Sequence, residues 1–359
     1  MRLYAYFRAM ILQMIVRCPV NSFWATTASG KIYTNHLRQI TLEPVAKLPT
    51  TTLITQGAHD MPTLQKKIDF AVILSVKNAN PNGDPLDSNR PRVDYSGIGE
   101  ITDVCIKRKV RDRLLENGYS IFVQSDDRNV DGEPSLRVRA ESDKNGLGKE
   151  VFKNNANKND TVTKACAKWF DVRTFGQVFA WKDKESKKPK KGASEEAPTE
   201  DDDLNRVSIP IRGPVTIQSA FSVESVRNRI TSNQITKSVS GEGDGTKRGS
   251  DTMGMKHRVD QGVYVFYGSM NPQLAEKTKF SDEDASAIKV VLPKLFENDE
   301  SSARPAGSME VLKVIWWEHN CKSGQYSSAK VHRTLSVQPD GGYQLANLDN
   351  LDPEEIDGF

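Results

Sequence analysis

Apolar positions become periodic only from Leu64 onward. Ile68 to Val76 is apolar at nearly every position, the pattern of a central strand covered on both faces. The next stretch, Asn78 to Pro85, is rich in Asn, Gly and Pro and predicts a loop. Ile106, Val110 and Leu114 recur at helical spacing, which predicts a helix over about 99–117 with Gly118 beyond its C-cap. Short strands are expected at Tyr119–Gln124 and Leu136–Ala140, and a second helix from Thr163 to Trp181. Alternation at Val207, Ile209 and Ile211, and at Val215, Ile217, Phe221 and Val223, predicts strands with one buried face. A polar, Gly-rich, basic excursion over 227–258 returns into a strand at Gly262–Tyr267. Ser281 before Asp282, Glu283 and Asp284 marks a helix start running to Phe296, and Val311–Trp317 reads as the last core strand. The order is strand, helix, strands, helix, strands, helix, strand, which is an α+β chain and not a doubly wound nucleotide fold.

Composition refines this picture at three places. Residues 1–60 carry six basic residues against Glu43 and Asp60 and hold no sustained period, so they read as a poorly structured extension. Arg8 and Arg17 bracket the apolar stretch there too tightly for an export signal, and Met61 is the expected natural start. Lys182 to Asp203 is charge-dense without an aromatic residue and reads as a disordered surface insert. The last stretch, 341–359, has with Asp340 six acidic residues and no base, the composition of a solvated tail. Overall, 50 Lys and Arg stand against 47 Asp and Glu, so the net charge of +3 conceals local separation. No segment approaches the ~20 apolar residues of a membrane span. Four scattered cysteines without a C-x-x-C pair exclude a disulfide framework or a cysteine zinc finger and suit a reducing cytoplasm.

Several chemical motifs fail on inspection. Asn78, Asn80, Asn82 and Gly83 mimic the start of a calcium loop, but the first position is Asn and the twelfth is Asn89, so the carboxylates are missing. The glycines around Gly241–Gly249 fit no phosphate-loop spacing, the five histidines have no ligand spacing, and no G-x-S-x-G elbow occurs. Neither a cofactor nor a metal is implied. Basic residues remain: Lys107, Arg108, Lys109, Arg111 and Arg113 on the first helix, and Arg227, Arg229, Lys237, Lys247, Arg248, Lys256 and Arg258 in the excursion. A solvated helix face, with Arg108 paired to Asp112, explains the first group as well as contact with phosphates does. Met253 and Met255 beside the second group suit a loop that contacts phosphates and wedges against bases.

Four stretches carry a family resemblance. They are Phe70 to Pro85 with its Asn-Pro-Asn-Gly-Asp-Pro loop, Trp169 to Phe179, Asp251 to Asp260, and Ser301 to Gly307. With these the chain resembles the backbone subunit of the type I-C CRISPR surveillance complex (Cascade), in the RAMP superfamily. The resemblance implies an RRM-like (ferredoxin-like) palm over 61–340 with an inserted thumb hairpin at 225–260. It further implies a non-catalytic, cytoplasmic scaffold that stacks head-to-tail along CRISPR RNA, with the thumb displacing bases and the guide left free to pair with target DNA. Its implied partners are that RNA, target DNA through the guide, further copies of itself and other Cascade subunits. Lys107, Arg108 and Arg111 are expected on phosphates, as is Arg304. Asn80 and Asn82 are expected to donate to backbone oxygens, and Met253, Met255, Lys256 and Arg258 to form the thumb contact. The rival expectation is an RNA endonuclease with His257, Asp84 or Asp251 at its centre, as in related superfamily members.

Overall fold

The computed structural model describes residues 62–153, 156–182, 206–238 and 252–359. The expectations for 1–60 and for nearly all of 182–203 therefore lie outside the described residues, as do Lys247, Arg248 and Asp251.

The centre is an antiparallel sheet around β1 (Ile68–Ala79). Two short strands follow, β2 (Gly83–Asp84) and β3 (Arg90–Pro91), then β4 (Ile98–Ile101) and helix α1 (Asp103–Glu116). Three helices come next, α2 (Leu136–Glu141), α3 (Lys158–Lys168) and α4 (Phe170–Phe175), and then the hairpin of β5 (Gly176–Lys182) and β6 (Arg206–Arg212). β7 (Val215–Ile217) and β8 (Ala220–Ser225) lead into β9 (Ile230–Ser238) and the long β10 (Thr252–Met270). Helices α5 (Pro272–Thr278) and α6 (Asp282–Val291) precede β11 (Met309–Glu318). The chain closes with α7 (Ser328–His332), β12 (Leu335–Val337), β13 (Tyr343–Leu345) and β14 (Glu354–Asp357). Across the sheet the order is β14-β11-β1-β10-β8-β4, with β7 and β9 also paired to β10.

β1 earns its central place from apolar side chains on both faces. Phe70, Val72, Leu74 and Val76 pack with Ile106, Val110 and Leu114 of α1 and Ile288 and Val291 of α6. Ala71 and Ile73 face the other way, against Val331, Leu335 and Leu351 of the C-terminal segment. Each large side chain so buried stabilises the fold by roughly 1.5–3 kcal/mol. Phe70 stacks on Trp316 at 5.6 Å and needs Gly268 opposite it on β10, because a Cβ there would lie 2.2 Å from the Phe70 ring. A separate aromatic cluster of Phe122, Phe152, Trp169 and Phe179 holds the segment between α1 and β6 together.

Several expected elements differ. Residues 99–101, expected within the first helix, belong to β4, which pairs with β8, and α1 starts at Asp103 behind the Thr102 N-cap. Tyr119–Gln124 forms no strand; the amides of Phe122 and Val123 donate to Asp171 instead. Leu136–Glu141 is helical behind the Ser135 cap, where a strand was expected. The second helix stops at Lys168, α4 follows, and Gly176 at φ +81° turns the chain into β5, whose pairing with β6 overrides the helical apolar spacing of 178–181. Phe221 is half-exposed while Ala220 and Ser222 are buried, because the break between β7 and β8 shifts the phase of alternation. The acidic end is not a free tail. β14 pairs with β11, Lys289 and Lys313 take Glu354 and Asp357, and Leu351 is buried.

Candidate nucleic-acid interface

Helix α1 is the hub on which three of the four motif stretches converge. At its N-terminus Asn82 Oδ1 accepts from the Thr102 amide and hydroxyl, both at 2.9 Å, and Thr102 Oγ1 accepts from Cys105 N. Midway, Arg111 Nε donates to Asp171 Oδ2 at 3.1 Å; Asp171 is buried and also takes the two amides named above. Further along, Lys109 is buried on Asp299, which also accepts from Arg304 Nε at 2.9 Å. The Arg304 loop is tied back to the first strand, where Asn80 N donates to Ala303 O at 2.8 Å. Two cations on one carboxylate hold Asp299 below the usual carboxylate range, although burial alone would raise it.

The five cations of α1 are thus five ion pairs. Lys107 bonds Asp103 at 2.8 Å, Arg108 lies 3.6 Å from Asp112, and Arg113 grips Glu116 with both terminal nitrogens. Arg111 and Lys109 are turned inward, so Arg108, half-exposed, and Lys107 are the members that face solvent. Exposed pairs are weak and exchange partners readily. Arg304 is mostly covered by its contact with Asp299. Asn80 and Asn82 do not offer donors outward. Asn80 Nδ2 bonds Asn89 O at 2.6 Å, leaving a buried acceptor oxygen, and the Asn82 amide reaches only the Gly83 carbonyl at 3.4 Å. Both side chains shape the loop, for which their spacing after β1 gave no separate signal.

The described residues of the basic excursion form the two paired strands of a β-hairpin. β9 and β10 pair from Thr252↔Ser238 to Val259↔Ile230, and β10 then runs without a break into the central sheet. On one face stand Lys256 and Arg258; Lys256 is exposed, and Arg258 lies 3.2 Å from Asp260. On the other face Met255 is exposed while His257 and Val259 are buried. Met253 lies on β10 within the hairpin. At the root, Arg229 pairs with Glu224 at 2.6 Å, and Arg227 donates to the carbonyls of Asp94 and Tyr95 at 3.3 and 2.6 Å. Of the nuclease candidates, Asp84 accepts from Leu86 N and Arg92, and His257 Nδ1 lies 2.7 Å from Ser232 Oγ beneath the surface.

Sequence reasoning passed over Asp171 and Asp299, the carboxylates that orient α1 and its neighbours. Their signal was present: each lies inside or beside a motif stretch, and the chain carries a basic helix that could pair with it.

Residues 66–355 match the family of CRISPR-associated protein Cas7. The chain belongs to the Cas7 family. A relative from Haloferax volcanii, described as CRISPR-associated protein Cas7, is 26 % identical over 294 residues, spanning 81 % of each chain. Among solved structures, a chain of a CRISPR RNA-guided surveillance complex in a pre-nicking state is 15 % identical, with a TM-score of 0.38, covering 70 % of this chain and 78 % of that one. A second surveillance-complex chain is also 15 % identical, with a TM-score of 0.34, over 70 % and 68 %. The Cas7 match includes the hairpin and all four motif stretches. No group of His, Cys, Asp and Glu suited to a metal ion occurs among the described residues, and no helix there is long and apolar enough to cross a membrane.

Proposed function

We propose that this protein is a non-catalytic scaffold that polymerises head-to-tail along CRISPR RNA within a type I-C Cascade and presents the guide for pairing with target DNA. The observation that carries the reading is the Cas7 match across residues 66–355. An RRM-like palm agrees with it: β1, α1, β8, β10, α6 and β11 follow one another along the chain, and the four strands lie in the order β11-β1-β10-β8. The outward sheet face, which binds RNA through aromatic side chains in many RRM domains, is covered here by the C-terminal segment, which favours a path for the RNA along α1 and the hairpin.

In this reading Arg108, Lys107, Lys256 and Arg258 exchange their exposed partners, where they have one, for phosphates. Lys247, Arg248 and Met253 join them from the hairpin sequence, and Met255 wedges against bases. Gripping phosphates leaves sequence to base pairing. A subunit that binds its own copy through unlike surfaces builds an open filament rather than a closed ring. Other Cascade subunits would cap it, and the role places the protein in the cytoplasm. The nuclease reading is disfavoured by Asp84, whose carboxylate is engaged by Arg92 and a loop amide, and by the burial of His257.

Co-expression with partner subunits and a CRISPR array is expected to yield protein with bound RNA. If each subunit neutralises ~4–5 phosphates, the log–log salt dependence has a slope of about −3 for single-stranded RNA. An RNA-free preparation overturns the scaffold reading. So does site-specific RNA cleavage that is lost in His257→Ala or Asp84→Ala.

A further inference from the structure

The turn from Asp94 to Ile98 holds Tyr95 fully in solvent, yet the turn itself is fixed by hydrogen bonds within it and from outside it. Asp94 Oδ1 accepts from Ile98 N at 2.8 Å, Gly97 N donates to Asp94 O at 3.0 Å, and Asp94 N donates to Ile98 O at 2.9 Å. The turn is also clamped from outside. Val226 N and Ser225 Oγ donate to Gly97 O at 2.9 and 3.2 Å, and the Arg227 guanidinium spans the carbonyls of Asp94 and Tyr95. Gly97 makes the close approach possible, at φ +85° and with room for no Cβ: one there would lie 2.4 Å from Ser225 Oγ.

Two features of this arrangement point to a ligand. Tyr95 presents a large apolar ring whose exposure gives the folded chain nothing, on a backbone that is already ordered and so loses little entropy on binding. Arg227 beside it is exposed and bonded to carbonyls, and it forms no ion pair with a carboxylate among the described residues. A ring with an exposed cation outside any ion pair next to it matches a nucleotide, which offers a base face to the one and a phosphate to the other. The surroundings fit a protein partner less well, because Asp94, Ser96 and Gly97 flank the ring and Val93 is the one exposed apolar side chain within three residues of it. The turn also lies where β8 passes into β9, at the root of the hairpin.

We propose that Tyr95 is a stacking platform for one base of the bound single-stranded RNA, with Arg227 on the adjoining phosphate. This rests on the RNA-scaffold reading and adds to it a base contact outside β9 and β10. The contact is indifferent to sequence, since every base has a π-face.

The test uses the full-length chain, a single-stranded RNA, and the same RNA carrying abasic riboses. Tyr95→Ala is expected to weaken binding to the base-bearing strand by about 5- to 150-fold, the range of one stacked base. Tyr95→Phe is expected to bind as the wild type does. The abasic strand is expected to bind the wild type and Tyr95→Ala equally, and the salt slope to be the same in all three proteins. Wild type that binds RNA, together with Tyr95→Ala that binds it equally well, overturns the inference alone. Equal weakening of both strands in Tyr95→Ala overturns it too, because that reports a disturbed loop. Loss of self-association with RNA affinity unchanged assigns Tyr95 to a contact between copies, which also overturns it. Wild type that binds no RNA overturns the scaffold reading, and the inference falls with it.

Discussion

Arg304 Nε lies 2.9 Å from Asp299 Oδ2, the same oxygen that receives the Lys109 ammonium from α1. One buried carboxylate therefore joins the first helix to the Ser301–Gly307 loop, and through Asn80 that loop is joined to the end of β1. Replacing Asp299 by Asn leaves Lys109 buried without a counter-charge. The expected loss of stability is about 3–5 kcal/mol, the range for breaking a buried pair from one side. Asp299→Leu combined with Lys109→Met is expected to recover most of it, because the buried charge is then gone as well. Chemical denaturation of the two variants and the wild type checks both statements. A single Asp299→Asn variant as stable as wild type would mean that Lys109 finds water or another partner.

The fold was legible in the sequence wherever a period was long and uninterrupted. β1, α1, β11 and residues 262–267 of β10 follow from apolar spacing, and Ser281 before three acidic residues announces α6; the earlier part of β10 lies in what reads as a polar excursion. The failures share a cause: the deciding partner lay far along the chain. Phe122 and Val123 have strand-like side chains, but their amides go to Asp171, nearly fifty residues on, as the separation of 49 residues for Phe122 records. Val178 and Trp181 have helical spacing, yet Pro210 and Val207 pair with them. The candidate interface was legible as charge and not as availability. Arg108 and Arg111 look equivalent on one helix, and only the fold reveals that Arg111 is turned onto Asp171 while Arg108 reaches solvent.

Asp171 is expected to act as the organiser of the 119–124 segment. Asp171→Asn keeps one acceptor but loses the charge that holds Arg111 and aligns the amides of Phe122 and Val123. Hydrogen bonds to charged groups contribute about 1.5–3 kcal/mol each. Amide exchange at Phe122 and Val123 is expected to accelerate well before that of the β1 amides. Exchange that rises equally throughout would indicate global destabilisation and no local role.

Solvent-facing and inward-facing cations are expected to separate in RNA binding. Arg108→Ala and Lys256→Ala each remove a charge at the surface, so each is expected to lower the magnitude of the salt slope by about 0.7. The loss should be equal for all guide sequences. Arg111→Ala breaks a covered pair with Asp171, so its first effect is expected in thermal stability, with the slope unchanged. Filter binding over a salt series, alongside thermal melts, distinguishes the two classes. A slope change in Arg111→Ala would require that its guanidinium leave Asp171 for the RNA.

The C-terminal segment should be sensitive to acid through His332. This ring stacks on Tyr267 at 4.8 Å, and its Nε2 lies 3.6 Å from Asp69 Oδ1. Asp69 is fully buried and takes Lys67 at 3.0 Å and His319 Nε2 at 2.9 Å; His319 Nδ1 accepts from Gln325 N, so Nε2 is the protonated nitrogen. Burial pushes the His332 imidazole below its ordinary value, with Lys67 acting in the same direction and Asp69 and the Gly268 backbone opposing. A depressed folded-state value means that the unfolded chain binds the proton first as the pH falls. The stabilisation is therefore complete above the ordinary histidine value of about 6.5. It declines as the pH falls from there through the lower value of the folded state. Asp69 is also depressed, since His319, Ser328 and Lys67 together outweigh its burial, so its own contribution is lost only in the more acidic carboxylate range. The expected signature is a first decline in stability beginning near neutral pH, separate from a second at lower pH. His332→Phe keeps a ring on Tyr267 but cannot titrate, so it is expected to flatten the first decline and leave the second. Unfolding free energies of both proteins across the acidic range provide the measurement. A first decline that persists in His332→Phe would place the titrating group elsewhere.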